Sequence, residues 1–200
     1  MNRIFGLGAM LAVLALTPAV KGATIFTLTE NGCSGTGGCG TGPFGTISLT
    51  QTTASLVTVT LTLAGGENFS GTGAGDALEF NVTGPITIGN ITSGFAVGPA
   101  PDTASTFGTF LESVTCTACQ GGSGPTGPLS FTVTSGGGVT IADFIANSGG
   151  FFFASDILGN GNTGNVAAKG TTSTVPEPIS SALVGGGLLS LFLLRRRATK

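Results

Sequence analysis

The sequence predicts an all-β fold: an antiparallel β-sandwich ectodomain, jelly-roll-like, with one short helix, followed by a single C-terminal transmembrane helix. Three observations lead there. Several segments alternate strictly between apolar and polar residues, the period of a sheet with one dry face and one wet face. Gly, Pro and Asn punctuate the chain between those segments, as in Gly65-Gly66, Gly84-Pro85 and Gly98-Pro99-Ala100-Pro101. Glycine and threonine are abundant and lysine is scarce, the make-up of an extracellular β-protein with many turns.

The elements follow in chain order. Met1-Asn2-Arg3 is a small positive region and residues 4–16 are apolar, with Pro18 and small residues after them. Residues 1–22 therefore read as a secretory signal peptide, with signal peptidase expected to cut between Gly22 and Ala23. Cleavage after Ala19 or Ala23 stays open. The ectodomain is expected over 23–158. Its clearest strand is 55–64, where Val57, Val59, Leu61 and Leu63 face one way and Thr58, Thr60 and Thr62 the other. Leu78, Phe80 and Val82 repeat the pattern opposite Glu79, Asn81 and Thr83, and Leu129, Phe131 and Val133 do so opposite Ser130, Thr132 and Thr134. Weaker strands are expected at 24–29, 46–51, 86–91, 106–115 and 150–156. Residues 140–147 read as a two-turn helix, with Thr140 as N-cap, Asp143 as a capping-box acid and Gly149-Gly150 as the stop. Residues 159–174, polar and glycine-rich, are expected to be a linker.

Charge and missing residue types narrow the chemistry. Over 23–174 there are eight acids against Lys169 alone, a net charge of −7. That stretch has no Arg, which disfavours nucleic acid as a partner. The chain has no His, so Ser-His-Asp and Cys-His machinery and imidazole metal sites are ruled out. It has no Trp or Tyr on which a sugar would stack.

The remaining candidates are few. Cys33, Cys39, Cys116 and Cys119 favour disulfides in an exported chain, and of three possible pairings the two local ones are preferred. A redox role for the Cys116/Cys119 pair would need a helix N-terminus, and the spacing of Cys33 and Cys39 is long for a zinc knuckle. The Gly-x-Gly-x-x-Gly runs from Gly35 and Gly159 follow no strand-to-helix turn and read as turn composition. Asp76, and Asp156 near Asn160 and Asn162, are open to calcium or to a solvated-turn role, and neither fits an EF-hand. Asn68, Asn81 and Asn90 begin glycosylation sequons. No spacing recommends a glycosidase carboxylate pair. No cofactor, metal or catalytic residue is assigned.

The tail is the most specific feature. Val175-Pro176-Glu177-Pro178 precedes an uncharged apolar span, 179–194, and then Arg195, Arg196 and Arg197. As a helix the span would be about 24 Å long. That is short against a hydrocarbon core of about 30 Å. The arginines act as the cytoplasmic membrane stop. The prolines keep Glu177 extended, as a protease requires. Residues 175–200 strongly resemble the PEP-CTERM sorting signal of Gram-negative exopolysaccharide producers. The order Cys116-x-x-Cys119, 127–133, 151–156 and 161–164 resembles many ectodomains of that family, which carry no established activity.

The resemblance implies an exosortase substrate, exported by the secretion machinery. Such a protein is held transiently in the inner membrane with its ectodomain periplasmic, then released to the cell surface or matrix. The expected function is that of a non-catalytic surface or matrix protein. The alternative is a carbohydrate-binding module, or a weak polysaccharide-acting enzyme with a carboxylate pair; on either reading exopolysaccharide is a candidate partner.

Overall fold

A computed structural model describes residues 23–119 and 124–174. The expected signal peptide with Gly22, the Val175-to-Pro178 motif, the 179–194 span and Arg195 to Arg197 lie outside the described residues. Among the described residues no helix is long and apolar enough to cross a membrane.

The fold is all-β. The strands are β1 Ala23–Leu28, β2 Glu30–Cys33, β3 Gly45–Thr53, β4 Leu56–Leu63, β5 Asn68–Phe69, β6 Leu78–Val82, β7 Thr87–Gly89 and β8 Phe95–Val97. They continue as β9 Asp102–Ala104, β10 Gly108–Phe110, β11 Glu112–Cys116, β12 Leu129–Thr134, β13 Phe144–Ile145, β14 Phe153–Gly159, β15 Asn162–Ala168 and β16 Thr171–Thr174. One sheet has the order β16-β1-β3-β4-β12-β7 and a second β2-β15-β14-β6-β11-β8, with β13 beside β6 and β5 beside β14. The β9–β10 hairpin stands apart as a two-stranded piece. Every pairing between these strands is antiparallel.

The alternating residues of the first sheet bury one face only. Val57, Val59 and Leu61 of β4 are fully buried, while Thr58 and Thr60 are half-buried and Thr62 is exposed. Their partners face the same way, since Thr60 pairs with Ser48 and Ser130. Ile47, Val59, Phe131, Phe80, Phe153 and Val166 join one apolar core drawn from both sheets. Aromatic contacts knit it: Phe26 and Phe153 centroids lie 4.9 Å apart, and Phe80 and Phe131 5.5 Å apart.

Four sequence expectations are corrected. Residues 140–147 form no two-turn helix; a 3-10 turn spans Ile141–Asp143 and runs straight into β13. The Asp143 carboxylate does receive the Thr140 N–H at 2.7 Å. Pairing Phe144 with Val82 buries that ring near Phe80 and Phe153, which outweighs further helical bonds. The expected linker 159–174 instead contains β15, whose Val166, Ala167 and Ala168 are buried, and β16, which pairs with β1. The expected strand over 106–115 is broken between β10 and β11. Finally, Glu79 and Asn81 are not on a wet face: they are 0% and 5% exposed.

Candidate functional site

The burial of Glu79 follows from register. Glu79 pairs with Ala154, Ala154 with Ala167, and Ser113 with Glu79. These residues therefore line the face of the second sheet turned away from the main core. A second apolar cluster covers that face, formed by Ala104, Phe107 and Phe110 over Ala154 and Ala167. The cover is pinned at several points. Ser105 N–H donates to the Ala74 carbonyl at 2.8 Å, and Asn147 Nδ2 to the Phe107 carbonyl at 2.8 Å.

Four acids and one amide collect beneath and beside this cover. Glu79 comes from β6, Asp156 from β14, Asn165 from β15, Asp102 from β9, and Asp76 from the loop ahead of β6. Asp156 and Asn165 face each other across paired strands. Asp156 Oδ2 accepts from the Thr72 N–H at 3.2 Å and its hydroxyl at 3.1 Å. The Asp156 N–H donates to the Asp76 carbonyl oxygen at 2.9 Å. The Ser113 hydroxyl makes a short bond to Asp76 Oδ2. Asn165 Nδ2 donates to the Ala74 carbonyl at 2.9 Å.

Two glycines make room for the cluster. A Cβ on Gly75 would stand 2.7 Å from both Glu79 Oε1 and Asn165 Nδ2, so these side chains converge there. A Cβ on Gly98 would collide with Ser113 Oγ and Asp76 Oδ2.

Electrostatics reflect the crowding. Burial, then repulsion from Asp102, pushes the Glu79 pKa up to about 9, so this carboxyl is protonated at neutral pH. Burial likewise raises Asp156 and Asp76, against the lowering effect of the Thr72 and Ser113 hydrogen bonds. The single lysine of residues 23–174 is elsewhere: Lys169 pairs with Glu30 at 3.7 Å and sits 5.1 Å from the Phe151 ring centre. Glu79 Oε2, Asp156 Oδ1 and Asn165 Oδ1 are buried without a protein N–H or O–H partner. Among the described residues no three His, Cys, Asp or Glu side chains gather as a ready-made metal cluster.

Of the residues singled out from sequence, Asp76 and Asp156 do come together, but Asn160 and Asn162 do not join them. Asn162 Nδ2 instead donates to the Gly38 carbonyl at 2.7 Å, docking the first cysteine loop. The cysteines form the two local disulfides, Cys33–Cys39 and Cys116–Cys119. Ala23 is the first residue of β1. Glu79, Asp102, Ser113 and Asn165 were not singled out from sequence. Their signal was indirect: the unbroken Val166-Ala167-Ala168 run marks a strand covered on both faces. Searches of protein-family models, curated proteins and solved structures found no match to the chain.

Proposed function

We infer that this is an exported, non-catalytic surface or matrix protein. Its ectodomain is a β-sandwich of jelly-roll-like form, and its C-terminal tail is a PEP-CTERM signal handed to an exosortase. The observation that carries the reading is where the compact unit ends. It spans Gly22–Val175, and its last strand stops at Thr174, next to the Pro-Glu-Pro motif. A protease acting at that motif would release the ectodomain without cutting into its sheets. The two local disulfides fit an oxidising compartment. Of the acids that come together, Glu79 and Asp156 are fully buried and Asp76 and Asp102 half-buried, which argues against their use as a polysaccharide-cleaving pair.

Intact-mass measurement of the protein from an exopolysaccharide-producing host tests this. The expected species begins near Ala23, carries both disulfides and lacks the three arginines. A chain that keeps Arg195 to Arg197 and stays in the inner membrane would overturn exosortase release.

One observation favours carbohydrate binding as the second reading. The outer face of the first sheet is a ladder of hydroxyls: Thr46 pairs with Thr62, Ser48 with Thr60 and Thr50 with Thr58. Co-sedimentation with the host polysaccharide separates the readings, since retention without new reducing ends means binding and new ends mean an enzyme.

A further inference from the structure

The β9–β10 hairpin is tethered at both ends and lightly held between them. It leaves the second sheet at Gly98, whose N–H donates to the Ser113 carbonyl at 3.0 Å, and rejoins it at Leu111, whose N–H donates to Asn81 Oδ1 at 2.7 Å. Between those tethers it pairs with itself as a two-stranded piece. Its apolar contact is small: Ala104, Phe107 and Phe110 lie over Ala154 and Ala167, with the Phe107 and Phe151 ring centres 4.8 Å apart. The main core is a separate cluster on the other face of that sheet. The hairpin can therefore lift while the main core stays packed, a local opening rather than unfolding.

Under the hairpin lies an acid with no cation beside it among the described residues. Glu79, 0% exposed, stands between Ser113 and Ala154 in the sheet, and its Oε1 accepts a long bond, 3.4 Å, from the Asp76 N–H. Asp102 of β9 and Asp76 of the loop ahead of β6 both repel its ionised form. Asp156 of β14, on the same face as Ala154, is bonded to Thr72. Glu112 of β11 pairs with Phe80 and so belongs to the opposite face, while Ser113 of β11 and Asn165 of β15 are neutral. Lys169 is engaged with Glu30 and Phe151.

A protonated Glu79 can stay in this dry layer, but an ionised one needs water. Lifting the hairpin admits water and carries Asp102 away from Glu79 in one movement, at the loss of a small apolar contact. Unfolding both sheets would reach the same end only by giving up the main core. We propose that the β9–β10 hairpin is an alkaline-opened flap: loss of the Glu79 proton lifts residues 99–110 off the second sheet and uncovers Ala154 and Ala167 with both sheets intact. In the closed form the carboxyl is pushed up to about 9, and in the open form it returns to the ordinary range. The closed form thus binds more protons, so rising pH favours opening, by up to about tenfold per pH unit until the closed form also ionises. The flap goes beyond the sorting role and does not depend on how the tail is processed.

The chain contains no Trp, so Phe107→Trp gives the flap a single indole in the full chain, held in detergent micelles. Acrylamide quenching is followed from about pH 6 to about pH 10 beside far-UV circular dichroism. The quenching constant is expected to rise at least about threefold over that range while the β-spectrum holds. Glu79→Gln in the same background keeps the side-chain shape without the charge and should cancel the rise. Deuterium exchange of the wild-type chain, corrected for its intrinsic pH dependence, should place the lost protection within residues 99–110, and it decides the matter alone if Phe107→Trp does not fold. A flap that stays protected at the alkaline end overturns the proposal. So does protection lost from both sheets together, or an opening that survives Glu79→Gln.

Discussion

At the scale of single residues, Glu79 is the most unusual group in the molecule. A carboxyl with no exposed surface, beside Asp102 and Asp76, has no cation to balance it among the described residues and so keeps its proton. Its pKa rises from 4.5 to about 9 on folding. Between those values the unfolded chain has released the proton while the folded chain still holds it. The unfolded state therefore binds fewer protons, and stability must fall as pH rises. Below the lower value both states are protonated and the contribution is fully present; above the upper value it is lost. The wild-type unfolding free energy from urea titration should decline across this window, by up to about 1.4 kcal/mol per pH unit from this one group. Glu79→Gln should flatten that slope and be the more stable protein at the alkaline end. An unchanged slope would mean that Glu79 is ionised in the folded state. None of this was legible from the alternation of Leu78, Phe80 and Val82, which places Glu79 in water. Period two assigns a residue to a face, but a distant hairpin decides whether that face is wet.

At the scale of elements, the β14–β15 hairpin carries a local signal that composition alone obscured. Gly159 pairs with Asn162, leaving Asn160-Gly161 as a two-residue turn with φ of 48° and 75°. Positive φ at both positions is the primed turn that matches strand twist, and Asn-Gly is its favoured sequence. Seen as glycine-rich, the segment reads as a linker; seen as Asn-Gly between Phe153–Gly159 and Asn162–Ala168, it reads as a hairpin. The Thr140 turn has the opposite history. Its Asp143 contact was visible in sequence, but the competing burial of Phe144 beside β6 was not.

Two glycine substitutions isolate the backbone effect at this scale. A Cβ on Gly161 meets nothing within 4 Å, so Gly161→Ala costs only the left-handed backbone, about 1–2 kcal/mol. Gly65 is equally open and lies outside the positive-φ range, so Gly65→Ala should be neutral or stabilising by up to about 1 kcal/mol. Chemical denaturation of the two variants side by side checks both signs. Equal effects would remove the turn assignment.

At the scale of the whole molecule, the question is where the folded unit ends. The strong alternation of β4 and β12 made the first sheet legible, because each of those strands has one wet face. The second sheet was less legible, because β14 and β15 are buried on both sides and their sequences lose the period. The consequence is concrete. β15 pairs with β14 along seven residues and with β2 along four, and it supplies Val166 and Ala168 to the main core and Ala167 to the cover. β16 then closes the free edge of β1.

A chain cut after Leu158 would lose these contacts, strip β1, β2 and β14 of a partner each and leave open edges of the kind that aggregate. Domains are stable by only about 5–15 kcal/mol, and removing a central strand exceeds that margin. Such a chain should show no cooperative unfolding transition and should collect in the insoluble fraction. A chain ending at Thr174 should unfold at the same midpoint as the chain that keeps its tail, since the compact unit closes at Val175. If the chain cut after Leu158 melts cooperatively at an unchanged midpoint, residues 159–174 are a linker after all and β15 is dispensable.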